Sequence, residues 1–407
     1  MTMSRTAMVH ATAAPRRLPG LDGLRALAVA LVVVHNYRHK VDGRLTSFRG
    51  GYIGVTLFFV ISGFLITSLL LVEHDQTGRI RVGAFYVRRL YRLLPALILA
   101  LVLLLVVGRW MGEPFKGQLV IGGSVLGYFF NWWHGAGSLR PGWGPLWSLS
   151  VEEQFYLVWP LLLVGFLAVF GRRRQGKDRD DVIAAVIIAA ACVLAVWRTI
   201  AWTNGLAEAP LYNDTHFRVD ALLFGAVLAL VLAARPRALL VAGRADRWFI
   251  PAVGALLLLA VFGSRADPTV RPGWMLGPGM TVVALVSTII VLLAISAPDG
   301  STTSRMLGAS GPVWLGQRSY AVYLFHGPIA VGLDYAVGHG GAAVAGVSLL
   351  LTLLAADLSY RFVEQPVLRR LPRWARRSTP AMDPPIDTAL GTGSPAMSEN
   401  RLEADKM

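Results

Sequence analysis

The chain reads as an all-α polytopic membrane protein, a bundle of about ten transmembrane helices with one interfacial or re-entrant segment and both termini cytoplasmic. Three observations predict this. First, 55% of its 407 residues are hydrophobic and 15% charged, with a mean hydropathy of +0.54. Second, the apolar residues fall in runs of about 20, the length a helix needs to cross about 30 Å of hydrocarbon. Third, arginines concentrate between those runs. The formal charge of +15 is therefore read as the positive-inside bias of a membrane protein, and a lipid bilayer rather than nucleic acid is the expected partner.

Apolar segments lie near residues 20–38, 52–72, 92–110, 118–134, 150–170, 182–202, 216–234, 248–263, 277–297, 318–338 and 341–362. Basic connections at 73–92 (Arg79, Arg81, Arg88, Arg89, Arg92), 171–181 (Arg172, Arg173, Arg174, Lys177, Arg179), 235–247 (Arg235, Arg237, Arg244, Arg247) and 361–377 all belong on the cytoplasmic side. An even number of crossings must separate any two of them, yet three segments lie between the first two, so one does not cross. Segment 118–134 is assigned that role. It is rich in glycine and ends in Tyr128, Phe129, Phe130, Trp132 and Trp133, the aromatic signature of an interfacial or re-entrant piece.

Three regions follow. Residues 1–17 are a polar extension without the apolar core of a secretory signal, so no cleaved leader is expected. Residues 18–368 form the membrane-embedded body. Residues 369–407 are a tail, basic at first, then rich in Pro, Ser, Thr and Ala and read as disordered. The lone Cys192 sits in an apolar run and is expected to be a small core residue, with no disulfide or thiolate metal site. His134, His216 and His339 lack the spacing of metal ligands.

Polar residues at the mouths of apolar runs are the candidate site, because ionisable groups facing hydrocarbon are costly and are by default functional. One cluster is Trp147, Ser148, Ser150, Glu152, Glu153 and Gln154; another is Asp22 and Arg25 at the start of the first run, with His35 and Tyr37 near its end. If the first helix runs outward, Arg25 lies toward the cytoplasm and His35 about 15 Å further along the axis. A helix beginning at 150 runs inward, so Glu152 is expected at the level of His35. Arg88, Arg89 and Arg92 fall on the opposite side with Arg25.

Four stretches now carry a resemblance: Asp22-Gly23-Leu24-Arg25 with His35, the run from Gly54 to Ile66, the run from Phe85 to Pro95, and the segment from Trp147 to Tyr156. In order and spacing they resemble the motif series of the acyltransferase-3 family of integral membrane O-acyltransferases. Shorter echoes are Arg218-Val219-Asp220 with Gly225, Ser319-Tyr320 with Tyr323 and His326, and Arg361 to Pro366. The resemblance covers about residues 18–368. His35 stands one residue nearer Arg25 than is usual in that family, a turn of about 100° around a helix.

The resemblance implies transfer of an acyl group, commonly acetyl, from acyl-CoA to a hydroxyl of a carbohydrate in an envelope polysaccharide or glycolipid, in the inner (plasma) membrane. Acyl-CoA is then a donor substrate, and no permanently bound cofactor is expected. The residue chemistry fits: His35 serves as general base for the attacking hydroxyl, Glu152 orients it and stabilises its imidazolium, and Trp147, Ser148 or Ser150 donate to the developing oxyanion, with Tyr37 nearby. The CoA phosphates are assigned to Arg88, Arg89, Arg92 and Arg25, whose guanidinium forks match phosphate.

Simpler roles stand beside these. Glu152 or Glu153 can stabilise a helix N-terminus, the arginines can be ordinary positive-inside residues, Arg25 can pair with Asp22, and Asp220, Glu364 and His326 suit structural pairing. A sugar on a secondary metabolite is an alternative acceptor. A glycan-precursor transporter or flippase is the alternative of another class, although neither inverted repeats nor mid-membrane breaks are evident. Nothing in the sequence sets an oligomeric state.

Overall fold

The computed structural model describes residues 19–37, 50–132, 141–171, 176–262, 274–338 and 341–376. The polar N-terminal extension, Arg172 to Arg174, Trp133, His134, His339 and the tail from 377 lie outside the described residues.

The described residues form helices and no strands. We number the main ones α1 (Pro19–Tyr37), α2 (Ile53–Thr77), α3 (Val82–Trp110), α4 (Phe115–Leu126), α5 (Trp147–Gly171), α6 (Lys177–Thr203), α7 (Thr215–Ala234), α8 (Phe249–Phe262), α9 (Met280–Ser296), α10 (Ser310–Val337) and α11 (Ala342–Ser359). Seven helical stretches among the described residues are long and apolar enough to cross a bilayer: those containing α2, α3, α5, α6, α7, α9 and α11. Helix α4, with 12 residues, is about 18 Å long and too short for a 30 Å hydrocarbon core. It covers residues 118–126 of the segment 118–134 assigned above to a non-crossing role.

Two boundaries differ from the sequence reading. Residues 73–92 were expected as a loop, but the chain is helical to Thr77 and again from Val82. Gly78, at φ 70°, closes α2 in a left-handed conformation that glycine adopts without a Cβ clash. Arg88, Arg89 and Arg92 therefore stand on the early turns of α3. Helix α5 begins at Trp147, not at 150, preceded by a 3-10 turn at Gly144–Leu146. Glu152 is thus in its second turn.

Helix α2 is the centre of the bundle, with 78% of its apolar window buried against 33% for α3, α5 and α6. Glycine permits its close packing. A Cβ on Gly54 would strike the Ala28 carbonyl of α1, one on Gly63 the Leu222 carbonyl of α7, and one on Gly225 of α7 the Val60 carbonyl of α2. These glycines let backbones approach, the small-residue mode of membrane-helix association. Cys192, expected in the core, is exposed on α6.

The basic connections share one face of the bundle, as the crossing-number argument requires. Arg179 lies 3.9 Å from Asp75 at the end of α2. Arg235, after α7, pairs with Asp181 of α6. Arg81 and Arg88 both pair at 3.1 Å with Glu73 and donate to the carbonyls of Arg376 and Ala375. This end is called the arginine face below. In the interior, Arg198 of α6 binds Asp220 of α7 at 2.9 Å. It also donates to the carbonyls of Phe217 and Gly277 and to Thr281. Gly277 has non-helical backbone angles in a kinked turn before α9, and Arg198 satisfies a carbonyl that such a break releases.

Candidate active site

The last turn of α1 sends three consecutive side chains in different directions, about 100° apart. His35 is half-buried, its ring edge-on to Tyr52 with centroids 5.7 Å apart, and its Cβ leaves no room for a side chain on Gly51. Asn36 turns to α10: its amide donates to the Val32 carbonyl at 3.0 Å and approaches His326 Nε2 at 3.1 Å. His326 Nδ1 lies 2.7 Å from the Tyr323 carbonyl. A carbonyl only accepts, so Nδ1 carries the proton and Nε2 receives Asn36. Tyr37 is buried and spans to α10 and α11, with its hydroxyl 3.0 Å from Thr352 Oγ1 and 3.2 Å from the His326 carbonyl. These bonds lock the helix end that presents His35.

Beyond Tyr52 an aromatic group continues into the bundle. Tyr52 meets Tyr212 at 5.9 Å, and Tyr212 meets Trp147 at 4.7 Å. Trp147 meets Phe59 of α2 at 6.2 Å.

A second cluster lies nearer the arginine face. Ser62 of α2 donates to Glu152 Oε1 at 2.9 Å, and Tyr156 stands one helical turn on from Glu152. Arg89 of α3 lies over the Tyr156 ring at 3.8 Å. Arg89 and Arg25 both act electrostatically on Glu152, and Arg89 acts on Glu153. Arg92 feels Arg25, Arg89 and Asp22; its side chain is exposed although surrounded by groups from α1, α3 and α5, so it faces a recess between these helices. Arg25 Nε is buried without a hydrogen-bond partner among the described residues. Three guanidiniums around one recess create the local positive potential that concentrates an anion.

The sequence placed His35 and Glu152 at one level; the structure does not. Helix α2 with the 3-10 turn Gly50–Tyr52 that leads into it serves as the ruler: Gly51 touches His35, while Ser62 touches Glu152. Eleven residues at 1.5 Å each separate those contacts by about 16 Å along the axis. Glu152 belongs with Arg25 and Arg89. Arg88 also departs from expectation, because Glu73 and the Ala375 carbonyl occupy its guanidinium within the fold. Of the expected oxyanion donors, Ser148 is committed: its Oγ lies 2.6 Å from Tyr323 Oη, which itself donates to the Pro145 carbonyl. Ser148 Oγ also lies 3.4 Å from that carbonyl, so its hydroxyl is held between Tyr323 and Pro145. Ser150 Oγ is fully buried with no partner among the described residues, and the Trp147 ring packs as described. Tyr37 acts as a tie between helices.

Arg218 entered the sequence reading only within a shorter family echo, with no place in the site. It is 2% exposed, donates to Thr56 Oγ1 at 2.9 Å, and lies 5.2–5.8 Å from the centroids of Phe59, Trp147 and Tyr212. The usable signal was a charge inside an apolar run.

Fold and site together define a multi-pass helical membrane protein with a histidine-aromatic cluster near the start of its central helix and a basic recess further along it. A family model describing an acyltransferase domain matches residues 18–361, and the chain belongs to this acyltransferase-3 family. Similar curated proteins include the peptidoglycan O-acetyltransferase OatA of Listeria monocytogenes, 30% identical over 86% of this chain and 56% of that protein. The O-acetyltransferase OatA of Staphylococcus aureus is 31% identical over 88% of this chain and 58% of its own length. The putative peptidoglycan O-acetyltransferase YrhL of Bacillus subtilis is 32% identical over 88% and 56%. The chain thus spans a little over half the length of these relatives. No solved structure matches it.

Proposed function

We propose that this chain transfers an acetyl group from acetyl-CoA to a hydroxyl of a cell-wall carbohydrate, with peptidoglycan as the acceptor class. The names of the similar proteins favour that acceptor over a metabolite sugar. The observation that carries the reading is the pairing of a three-arginine recess with a histidine about 15 Å away on the same helix, Arg25 and His35 of α1.

In this reading the arginine face is cytoplasmic, about ten helices cross the plasma membrane once α1, α8 and α10 join the seven, and both termini are cytoplasmic. The CoA phosphates bind Arg25, Arg89 and Arg92, and the pantetheine arm extends along α2 toward His35. His35 takes the proton of the acceptor hydroxyl as its oxygen attacks the thioester carbon, then returns that proton to the departing CoA thiolate. Glu152 holds Arg25 and Arg89 in place.

Membranes containing the full chain, supplied with radiolabelled acetyl-CoA and peptidoglycan sacculi, test this directly. Label enters the glycan with the wild type and not with His35→Ala. An inert wild type across glycan, lipid and small-molecule fractions rejects it.

A further inference from the structure

We propose that Arg218 is a catalytic residue that receives the thioester oxygen of the donor and stabilises its negative charge as the acceptor attacks. The inference rests on the proposed acyl transfer and adds to it a specific electrophile. Three observations lead there.

The first is position. Along α2, Tyr52 meets His35, Thr56 binds Arg218, Phe59 meets Trp147 and Ser62 binds Glu152. Steps of four, three and three residues keep these side chains on one face of the helix. Arg218 thus sits one turn below the histidine and above the arginine recess, on the route a donor must take to bring its acyl end to His35.

The second is the nature of its surroundings. A guanidinium at 2% exposure carries a large desolvation cost, and three ring faces and a hydroxyl are a soft cradle for it. Polar charge kept in such a place is by default functional.

The third is Ser150. Its hydroxyl, fully buried and without a partner among the described residues, lies one turn from Trp147 on the same face of α5, the face that meets Arg218. It supplies a neutral donor beside the charged one.

The step balances. The acceptor oxygen bonds to the thioester carbon, and the carbonyl π pair moves onto oxygen beside Arg218. The acceptor proton passes to His35. Collapse re-forms the carbonyl, breaks the carbon–sulfur bond, and the thiolate takes the proton from His35, leaving ester and CoA. An oxyanion donor acts on the transition state and little on the ground state.

The test uses full-length protein in nanodiscs, with acetyl-CoA, with CoA, and with the trifluoromethyl-ketone analogue of acetyl-CoA, whose hydrated carbonyl mimics the tetrahedral centre. For Arg218→Gln the expected result is a loss of kcat of about 100-fold, a parallel loss of affinity for the analogue, and CoA affinity within about twofold of wild type. Arg218→Lys recovers part of both. Equal loss of CoA and analogue affinity, or loss of folding in Gln and Lys variants alike, assigns Arg218 a structural role and overturns the proposal, as does retained kcat. An inert wild type rejects acyl transfer itself; an active wild type with an active Arg218→Gln rejects only this assignment.

Discussion

The two ends of the seam along α2 hold their polar groups by different means. Near the arginine face, charges gather without a direct ion pair to Glu152 among the described residues: Arg25 and Arg89 act electrostatically on Glu152, and Arg92 lies in the recess beside them. At the other end, dipoles and rings do the work: Asn36 to His326, Tyr37 to Thr352, Tyr52 edge-on to His35. The first arrangement suits capture of a polyanion, whose phosphates add to a field already positive. In the proposed reading the second suits a base, because the bonds of Asn36 and Tyr37 fix the helix end that presents His35. On the same proposed reading, binding and chemistry are separated along one helix.

That separation yields predictions of decreasing size. His35→Ala lowers kcat by a factor of about 10² to 10⁴ and leaves the KM for acetyl-CoA nearly unchanged; a shared drop in both parameters would merge the two ends. Arg89→Ala with Arg92→Ala does the reverse. Loss of charged hydrogen bonds worth about 1.5–3 kcal/mol each raises the KM by more than 10-fold, a rise that shrinks when the donor is a phosphate-free acetyl-pantetheine. Glu152→Gln separates the two accounts of that carboxylate: as a holder of arginines it raises KM about 10-fold without moving the pH profile of kcat, whereas a displaced profile would return it to His35. His326→Ala strands the Asn36 amide and costs about 1–3 kcal/mol of stability, read as a lower midpoint of thermal unfolding in nanodiscs. Arg88→Ala, which breaks the Glu73 pair and the bond to the Ala375 carbonyl but leaves Glu73 its bond to Arg81, costs about 1–3 kcal/mol of stability and leaves acetyl-CoA KM alone.

Much of the fold was legible because hydrocarbon imposes a length on every crossing. The apolar runs, the short α4 and the common side of the arginine connections all follow from composition and crossing number. The vertical offset of one helix against another does not. The apolar run starting at 150 set Glu152 at a helix start; Gly144 to Leu146 instead begin the turn, and α5 is seated so that Glu152 meets Ser62 rather than His35. Hydropathy also merges side chains that point apart: Arg88 and Arg89 are neighbours in sequence, yet one faces Glu73 and the other Tyr156. Asp220 announced itself as a buried charge, but its partner Arg198 stands 22 residues earlier on another helix.

The most direct test of the division is to map both ends of the donor at once. One acyl-CoA analogue carries a diazirine on its acyl group, a second carries an azide on adenine, and cross-linked peptides are identified by mass spectrometry. The account predicts acyl-end label in the peptides containing His35, Tyr52 and Arg218, and adenine-end label in those containing Arg89 and Arg92. Both labels in the same peptides, or the acyl end among the arginines of α3, would contradict it.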